Sequence, residues 1–458
     1  MTLHRRTFLS IPVATASLTL ATGARASRGP LDPVLLVHGN GGSAAFWMGF
    51  VWRMEANGYP AELIHALDFA APIARSSGLD VDDESAIPGR SSTADQLAEL
   101  TAAIDRTFAS AGSQRVVLIG HSRAGNAIRS YLWRAGAVKV SRVVLAATTT
   151  NGLIATDRFV NNEFNGQGAF MRTLNARTID VPPGVPTLSL RSDSNDLWFQ
   201  PDGRFIGLPG RPTGIGYDAP DVRGATNVVL PGADHKQVAL GDAAFDAIHR
   251  FMLGAPPAVV GVPTTSTAVL DGIVTAFRDG APSNLPVAGA RVEVFETSPE
   301  TGERAGTAVH AQTTGSDGRW GPYSARPDRQ LEFLVRIAGL PATSIVCPPF
   351  PRGSSLVRLS PAIPSPEERA GEGLIVIRRP RGLSGAGRDV VRANGAPARP
   401  RAESVYRFLL DPDEPVPGIA AHAVPVGRGA VRIQVNAETV TVRARPLDEA
   451  VVVAEFHG

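Results

Sequence analysis

The chain has 458 residues, 43% hydrophobic and 19% charged, which allows two or three cored domains and excludes wholesale disorder. Its formal net charge is +2, and Arg5, Arg6 and Arg25 stand in an N-terminal stretch without an acid, so the remainder is close to neutral and has no electrostatic motive for binding nucleic acid or an anionic membrane. A single cysteine, Cys347, excludes an intrachain disulfide and leaves stability to the apolar cores.

The first predicted element is a targeting segment, residues 1–26. It joins a basic start, a largely apolar stretch from Phe8 to Ala21 and the small-x-small site Ala24-Arg25-Ala26. Arg5-Arg6-Thr7-Phe8-Leu9 resembles the twin-arginine export signal, which implies a folded protein delivered to the periplasm or outside the cell. The apolar stretch is interrupted by Pro12 and is short for a membrane span. No later run of about 18 apolar residues predicts a transmembrane helix.

From residue 27 to 254, short apolar runs alternate with helical spacing. Strands are predicted at Pro33–Val37, Ala61–Leu67, Val116–Ile119, Arg142–Ala147, Pro186–Leu190 and Asn227–Leu230. Helices are predicted at Ala44–Asn57, Thr93–Ala109 and Asp242–Leu253; the second places Leu97, Leu100, Ile104 and Phe108 on one face. Buried strands alternating with helices imply a parallel sheet covered on both faces, with a minimal number of strands. The proline-rich stretch 255–267 reads as a linker. Beyond it the pattern is all-β. A sandwich is expected over 268–361, with strands at Ala290–Glu296 and Gln330–Ile337. A last β region is expected over 362–458, with strands at Leu374–Arg378, Val405–Leu410, Ala430–Asn436, Thr439–Ala444 and Ala450–Glu455, and the two regions could form one continuous domain.

The chemistry collects at the strand ends. In Val116–Leu132 (VVLIGHSRAGNAIRSYL) a strand runs into Gly120-His121-Ser122 and restarts at once as a helix. Such a turn needs small neighbours, here Gly120, Ala124 and Gly125, and it pushes the Ser122 hydroxyl out beside a helix N-terminus. This resembles the G-x-S-x-G nucleophile elbow of α/β hydrolases, with Ala124 where glycine is usual. The resemblance implies an acid and then a histidine further along the chain, each after a strand. Asp196 and Asp193 follow Pro186–Leu190, and His235 follows Asn227–Leu230. Asp196 is the preferred acid because Ser194-Asn195-Asp196 resembles the acid loop of small lipases; Asp193 is the alternative and Asp234 a third candidate. Imidazole ordinarily titrates near neutrality, so His235 suits taking the serine proton and returning it to the leaving group. His38, His121, His65 and His249 read as scaffold or surface residues.

After the first strand, His38-Gly39-Asn40-Gly41-Gly42 resembles the HG oxyanion loop of lipases and esterases. Backbone N–H groups of Asn40 and Arg123 would bind the oxyanion, and side chains at these two positions are expected to be free to vary. The resemblance covers about Leu31–Leu253 and implies ester hydrolysis through an acyl-serine with no cofactor and no metal. Two segments, Ala66–Ser91 and Asn151–Val185, are candidate walls of an apolar acyl pocket; the second carries Phe159, Phe164, Phe170 and Met171. The β module over 268–361 resembles the transthyretin-like, carboxypeptidase-regulatory sandwich, and the whole layout resembles two-domain lipases with a C-terminal β domain. The expected substrate is an ester with an apolar acyl chain, lipid or polyester. A polyester depolymerase and a non-enzymatic binding protein on a hydrolase fold stand as alternatives.

Overall fold

The computed structural model describes residues 31–76, 87–203, 212–384, 388–400, 421–426 and 429–458. The export signal, part of the 66–91 loop and the expected strand Val405–Leu410 lie outside them. Strands β1 (Val34–Val37), β2 (Ile64–Leu67), β3 (Val116–His121), β4 (Val140–Ala146), β5 (Thr187–Ser192) and β6 (Thr226–Leu230) form a six-stranded parallel sheet in the order β2-β1-β3-β4-β5-β6. Helices α1 (Met48–Ala56), α2 (Thr93–Ala111), α3 (Arg123–Tyr131), α4 (Ala169–Leu174) and α5 (Asp242–Leu253) accompany it. This is the expected minimal α/β-hydrolase sheet. Two expected elements are shorter or more divided than the apolar pattern suggests. Ala44–Trp47 forms a 3-10 turn before α1, and Ala61–Leu63 forms another before β2.

Local chemistry fixes the ends of α2. Ser92 caps it by accepting from the Asp95 N–H at 3.1 Å, while the Asp95 carboxylate accepts from the Ser92 N–H at 2.8 Å. Gly112 ends it in the left-handed conformation, with φ 61°. The inner face of α2 packs Leu100 and Ile104 with Ile128 of α3 and Leu118 of β3.

The β half is built on an eight-stranded sheet. Its members are β7 (Arg291–Thr297), β8 (His310–Thr313), β9 (Gln330–Arg336), β10 (Thr343–Cys347), β11 (Gly373–Arg378), β12 (Arg399–Pro400), β13 (Ala421–Val426) and β16 (Val451–Glu455), in the order β8-β7-β9-β10-β16-β11-β13-β12. The last strand of the chain, β16, runs parallel to both β10 and β11 and sits between them. Residues on either side of 361 therefore share one sheet. Side chains alternate strictly along the central strands. Leu374, Val376, Val451 and Val453 enter one core with Trp320, Phe333 and Phe350. Ile375, Ile377, Val452 and Ala454 enter a second core. There they meet Ile433 of β14 (Gly429–Val435) and Val440 and Val442 of β15 (Glu438–Ala444). Burial on both faces accounts for the unbroken apolar runs LIVI and VVVA.

Helix α1 joins the two halves. Phe50 packs edge-on against Trp47 and against Phe245 of α5. Met48 and Trp52 instead enter the β core, and Trp52 Nε1 donates to the Gly353 carbonyl at 2.8 Å. A helix that is apolar on both sides is buried on both sides. Asn284 makes a second tie: its Nδ2 donates to the carbonyls of Gly42 and Phe69, each at 3.0 Å. Trp52→Ala should destabilise the whole chain by about 3–5 kcal/mol through the vacated core volume, measured by urea unfolding. A loss under about 1 kcal/mol would mean the halves do not depend on this contact.

Candidate active site

The sheet order decides where the site lies. β3 pairs with β1 rather than with β2, so the connections diverge between β1 and β3 and leave a crevice at their carboxyl ends. Register sets Val37 beside Gly120. The loop His38–Gly42 and the turn His121–Arg123 therefore start side by side.

At that turn Ser122 has φ 55° and ψ −125°, a conformation that costs a non-glycine residue about 1–3 kcal/mol. The turn is locked by the Ser122 N–H donating to the Ala146 carbonyl at 2.8 Å and the Gly125 N–H donating to the Ser122 carbonyl at 3.0 Å. Close approach explains the small residues. A Cβ on Gly125 would lie 2.0 Å from Thr148 Oγ1, and one on Gly39 would lie 2.8 Å from Ser122 Cβ. The His38–Gly42 loop thus rests directly on the serine. Ala124, the departure from the usual glycine, is fully buried and turns its methyl into the core around Ile128.

Asp196 and His235 meet. His235 Nδ1 lies 2.8 Å from Asp196 Oδ2 and 3.0 Å from Oδ1, and both side chains are buried. Asp196 also accepts from the Trp198 N–H at 3.0 Å, which fixes the carboxylate. Asp193 is engaged elsewhere: it accepts from the N–H groups of Ser194 at 2.6 Å and Gly232 at 3.1 Å, joining the loops after β5 and β6. Burial would raise its carboxyl, but the N–H donors of Gly232, Ser194 and Asn195 hold it below the ordinary value. Asp234 accepts from the N–H groups of Lys236 and Gln237, each at 2.8 Å, at the turn before the next helix. Among the described residues no hydrogen bond joins Ser122 to His235; such bonds often tighten only when substrate is seated.

His121, His38 and His249 are held by contacts within the fold. His121 stacks on Phe46 with centroids 4.8 Å apart, and its Nε2 lies 2.8 Å from the His235 carbonyl oxygen. Burial, and next the neighbouring His235, push His121 well below the ordinary imidazole value; the neutral ring donates from Nε2 and holds the His235 backbone. His38 is buried against Phe69, and the Phe69 N–H donates to its Nε2 at 3.2 Å. His249 Nδ1 lies 2.7 Å from the Ala255 carbonyl oxygen.

The side chains of Asn40 and Arg123 are not free to vary, contrary to the expectation from the backbone role alone. Asn40 Oδ1 accepts from the Ala74 N–H at 2.8 Å. Arg123 is buried and donates to Glu163 through Nε at 2.8 Å and Nη2 at 2.7 Å, and to Ser91 Oγ at 2.9 Å. Glu163 has no motif of its own in the sequence; the signal lay in an arginine beside the serine that had to find an acid. Arg123 ties the turn to both candidate wall segments. Within those segments Ala74, Leu153, Ile154 and Phe164 cluster with Leu197, Phe199 and Leu383, next to His235. Phe159 lies apart under Arg158, and Met171 packs on Asn126. A cavity of about 380 Å³ lies behind the His38–Gly42 loop, between Gly41, Ala45 and Met48 and the β residues Phe277, Leu356 and Arg358; Ser122, Asp196 and His235 do not line it. Among the described residues no helix is long and apolar enough to cross a membrane.

Residues 266–364 match the family model of the Lipase C-terminal domain. No curated protein sequence matches the chain. Solved structures similar to it include the Bacillus licheniformis lipase BlEst2 in mature form, at 19% identity over 49% of this chain and 93% of that one, with a TM-score of 0.36. A Paleococcus ferrophilus monoacylglycerol lipase is similar at 14% identity over 49% of this chain and 96% of that one, with a TM-score of 0.32. The carboxylesterase CesB from Bacillus subtilis is similar at 15% identity over 50% of this chain and 86% of that one, with a TM-score of 0.27.

Removing one member of a buried ion pair strands the other. Glu163→Leu should cost about 3–5 kcal/mol, and the double variant Arg123→Met/Glu163→Leu should recover most of it, as read from urea unfolding. A double-variant loss equal to the sum of the Arg123→Met and Glu163→Leu losses would show that the pair is not coupled.

Proposed function

We propose that this chain is an exported serine hydrolase that cleaves carboxylic esters, with Ser122 as nucleophile, His235 as general base and Asp196 as the acid that orients it. The observation that carries this reading is the 2.8 Å contact from His235 Nδ1 to Asp196 Oδ2, in a loop flanking the strained turn of Ser122. The carboxylate holds the proton on Nδ1 and leaves Nε2 to accept the one from the Ser122 hydroxyl. Ser122 Oγ then attacks the ester carbonyl carbon. The carbonyl oxygen becomes an oxyanion that accepts from the backbone N–H groups of Asn40 and Arg123. As the tetrahedral intermediate collapses, the carbon–oxygen bond to the alcohol breaks and the alcohol takes the proton from the imidazolium. Water attacks the acyl-serine by the same route, releasing the acid and restoring Ser122. The apolar cluster of Leu153, Ile154, Phe164 and Phe199 beside His235 supports an apolar acyl group. The twin-arginine pattern supports export to the periplasm or beyond.

The test is hydrolysis of p-nitrophenyl esters of increasing acyl length by the mature chain. Ser122→Ala should lower kcat by about 10⁴–10⁶-fold and abolish labelling by a fluorophosphonate, while leaving the thermal midpoint in place. Ester hydrolysis retained in that variant would overturn the assignment. Asp196→Asn should lower kcat by about 10⁴-fold, and Asp193→Asn by less than about threefold; the reverse order would move the acid to Asp193.

A further inference from the structure

The turn that carries His235 is gripped on both sides by residues far along the chain, beyond the stretch that matches the Lipase C-terminal domain. On one side, Lys236 Nζ donates to the carbonyl oxygens of Pro380 at 3.0 Å, Gly382 at 3.1 Å and Arg379 at 3.5 Å. On the other, Asp234 Oδ2 lies 2.8 Å from Arg388 Nη2, an ion pair rather than an aligned hydrogen bond. An ammonium has three donors, and here each meets a carbonyl of one loop. The arrangement fixes position as a peg fixes a socket.

That loop is itself braced from below. Arg379 donates from Nε to the Gly458 carbonyl at 2.7 Å and from Nη1 to the Leu383 carbonyl at 2.8 Å. Arg381 donates to the carbonyls of His457 at 2.6 Å and Phe456 at 2.7 Å. Leu383, at the end of the loop, is buried against Leu197 and Phe199, which directly follow Asp196. The loop together with Arg388 thus touches both chain neighbours of the base and the turn that holds its acid.

We propose that the Arg379–Ser384 loop, with Arg388, is a clamp that sets the position of the His235 imidazole, and that Lys236 is its positioning residue. This rests on His235 being the base. A base displaced by about 1 Å can lose on the order of 10²-fold in rate, with little effect on substrate binding. The charged groups around Lys236 are Asp234, Arg379 and Arg381, with Arg388 held behind Asp234. Burial pulls the ammonium down to about 8, opposed by Asp234 and furthered by Arg379 and Arg381. Above that pH the neutral amine keeps two N–H donors for the carbonyls, so kcat should fall as Lys236 loses its proton.

The experiment compares wild type with Lys236→Met and Arg388→Gln in the full mature chain on a short p-nitrophenyl ester. Lys236→Met should lower kcat about tenfold or more with KM within about twofold, and should lose the alkaline limb of the wild-type profile. Arg388→Gln, which removes a partly exposed side chain, should lower kcat about threefold with KM unchanged, and it keeps the test open if Lys236→Met does not fold. In the Ser122→Ala background, where turnover is not needed, the low-field proton resonance of His235 Nδ1–H should broaden with Lys236→Met or, if that variant does not fold, with Arg388→Gln. A wild type that hydrolyses no ester overturns the proposed function and leaves that resonance to decide the clamp. Active wild type with both variants matching its kcat, pH profile and resonance overturns the clamp.

Discussion

The pairing of β1 with β3 is the constraint from which the site follows. Had β3 added beside β2, the His38–Gly42 loop and the Ser122 turn would lie a strand apart. Because Val37 stands next to Gly120, the two loops leave the sheet together, and Gly39 comes against Ser122 so closely that no side chain fits. The strained backbone of Ser122 then has a structural cause. Its N–H is taken by Ala146 of the next strand, its carbonyl is taken by Gly125, and the His38–Gly42 loop closes the remaining side. A conformation costing about 1–3 kcal/mol persists because its surroundings leave no other.

Around this turn the protein relies on buried charge as much as on apolar packing. Arg123 pairs with Glu163, and Arg129 reaches Asp180, which also holds Arg223 at 2.7 Å. Such pairs gain little net stability over well-packed apolar residues, but a mismatched partner is expensive. Their effect is to restrict how the segment 151–185 can lie over α3. Arg123 and Glu163 connect the residue after Ser122 to the wall of the candidate pocket, so the pocket's shape and the turn's shape are set together.

Much of the α/β half was legible in the sequence. Its strands are short apolar runs, its helices keep a 3.6-residue spacing, and the turns that carry Ser122, Asp196 and His235 each follow a strand. What was not legible depends on contacts distant in sequence. Nothing near Arg123 announces Glu163, since the pair is formed across 40 residues by a loop without a motif. The helix predicted over Ala44–Asn57 does not show that Trp47 and Phe50 serve one core while Met48 and Trp52 serve another. In the β half, Ala450–Glu455 reads as a strand, but its neighbours β10 and β11 could not be named, because an alternating or continuous pattern gives burial and not partner.

The placing of β16 bears on how the two halves should be understood. A strand at the chain terminus that completes the middle of a sheet makes residues before and after 361 interdependent. The same terminus anchors Arg379 and Arg381 through the carbonyls of residues 456–458. From there the connection runs through the 379–384 loop to Lys236 and so to the turn of His235, while Asn284 reaches the opposite side of the site beneath Gly42. The β half therefore meets the six-stranded sheet at the His38–Gly42 loop and at the His235 turn, the two loops whose relative position a reaction at Ser122 would depend on. A region attached only to cover an apolar flank would need Met48 and Trp52 but would have no physical reason to spend buried polar groups on those two loops.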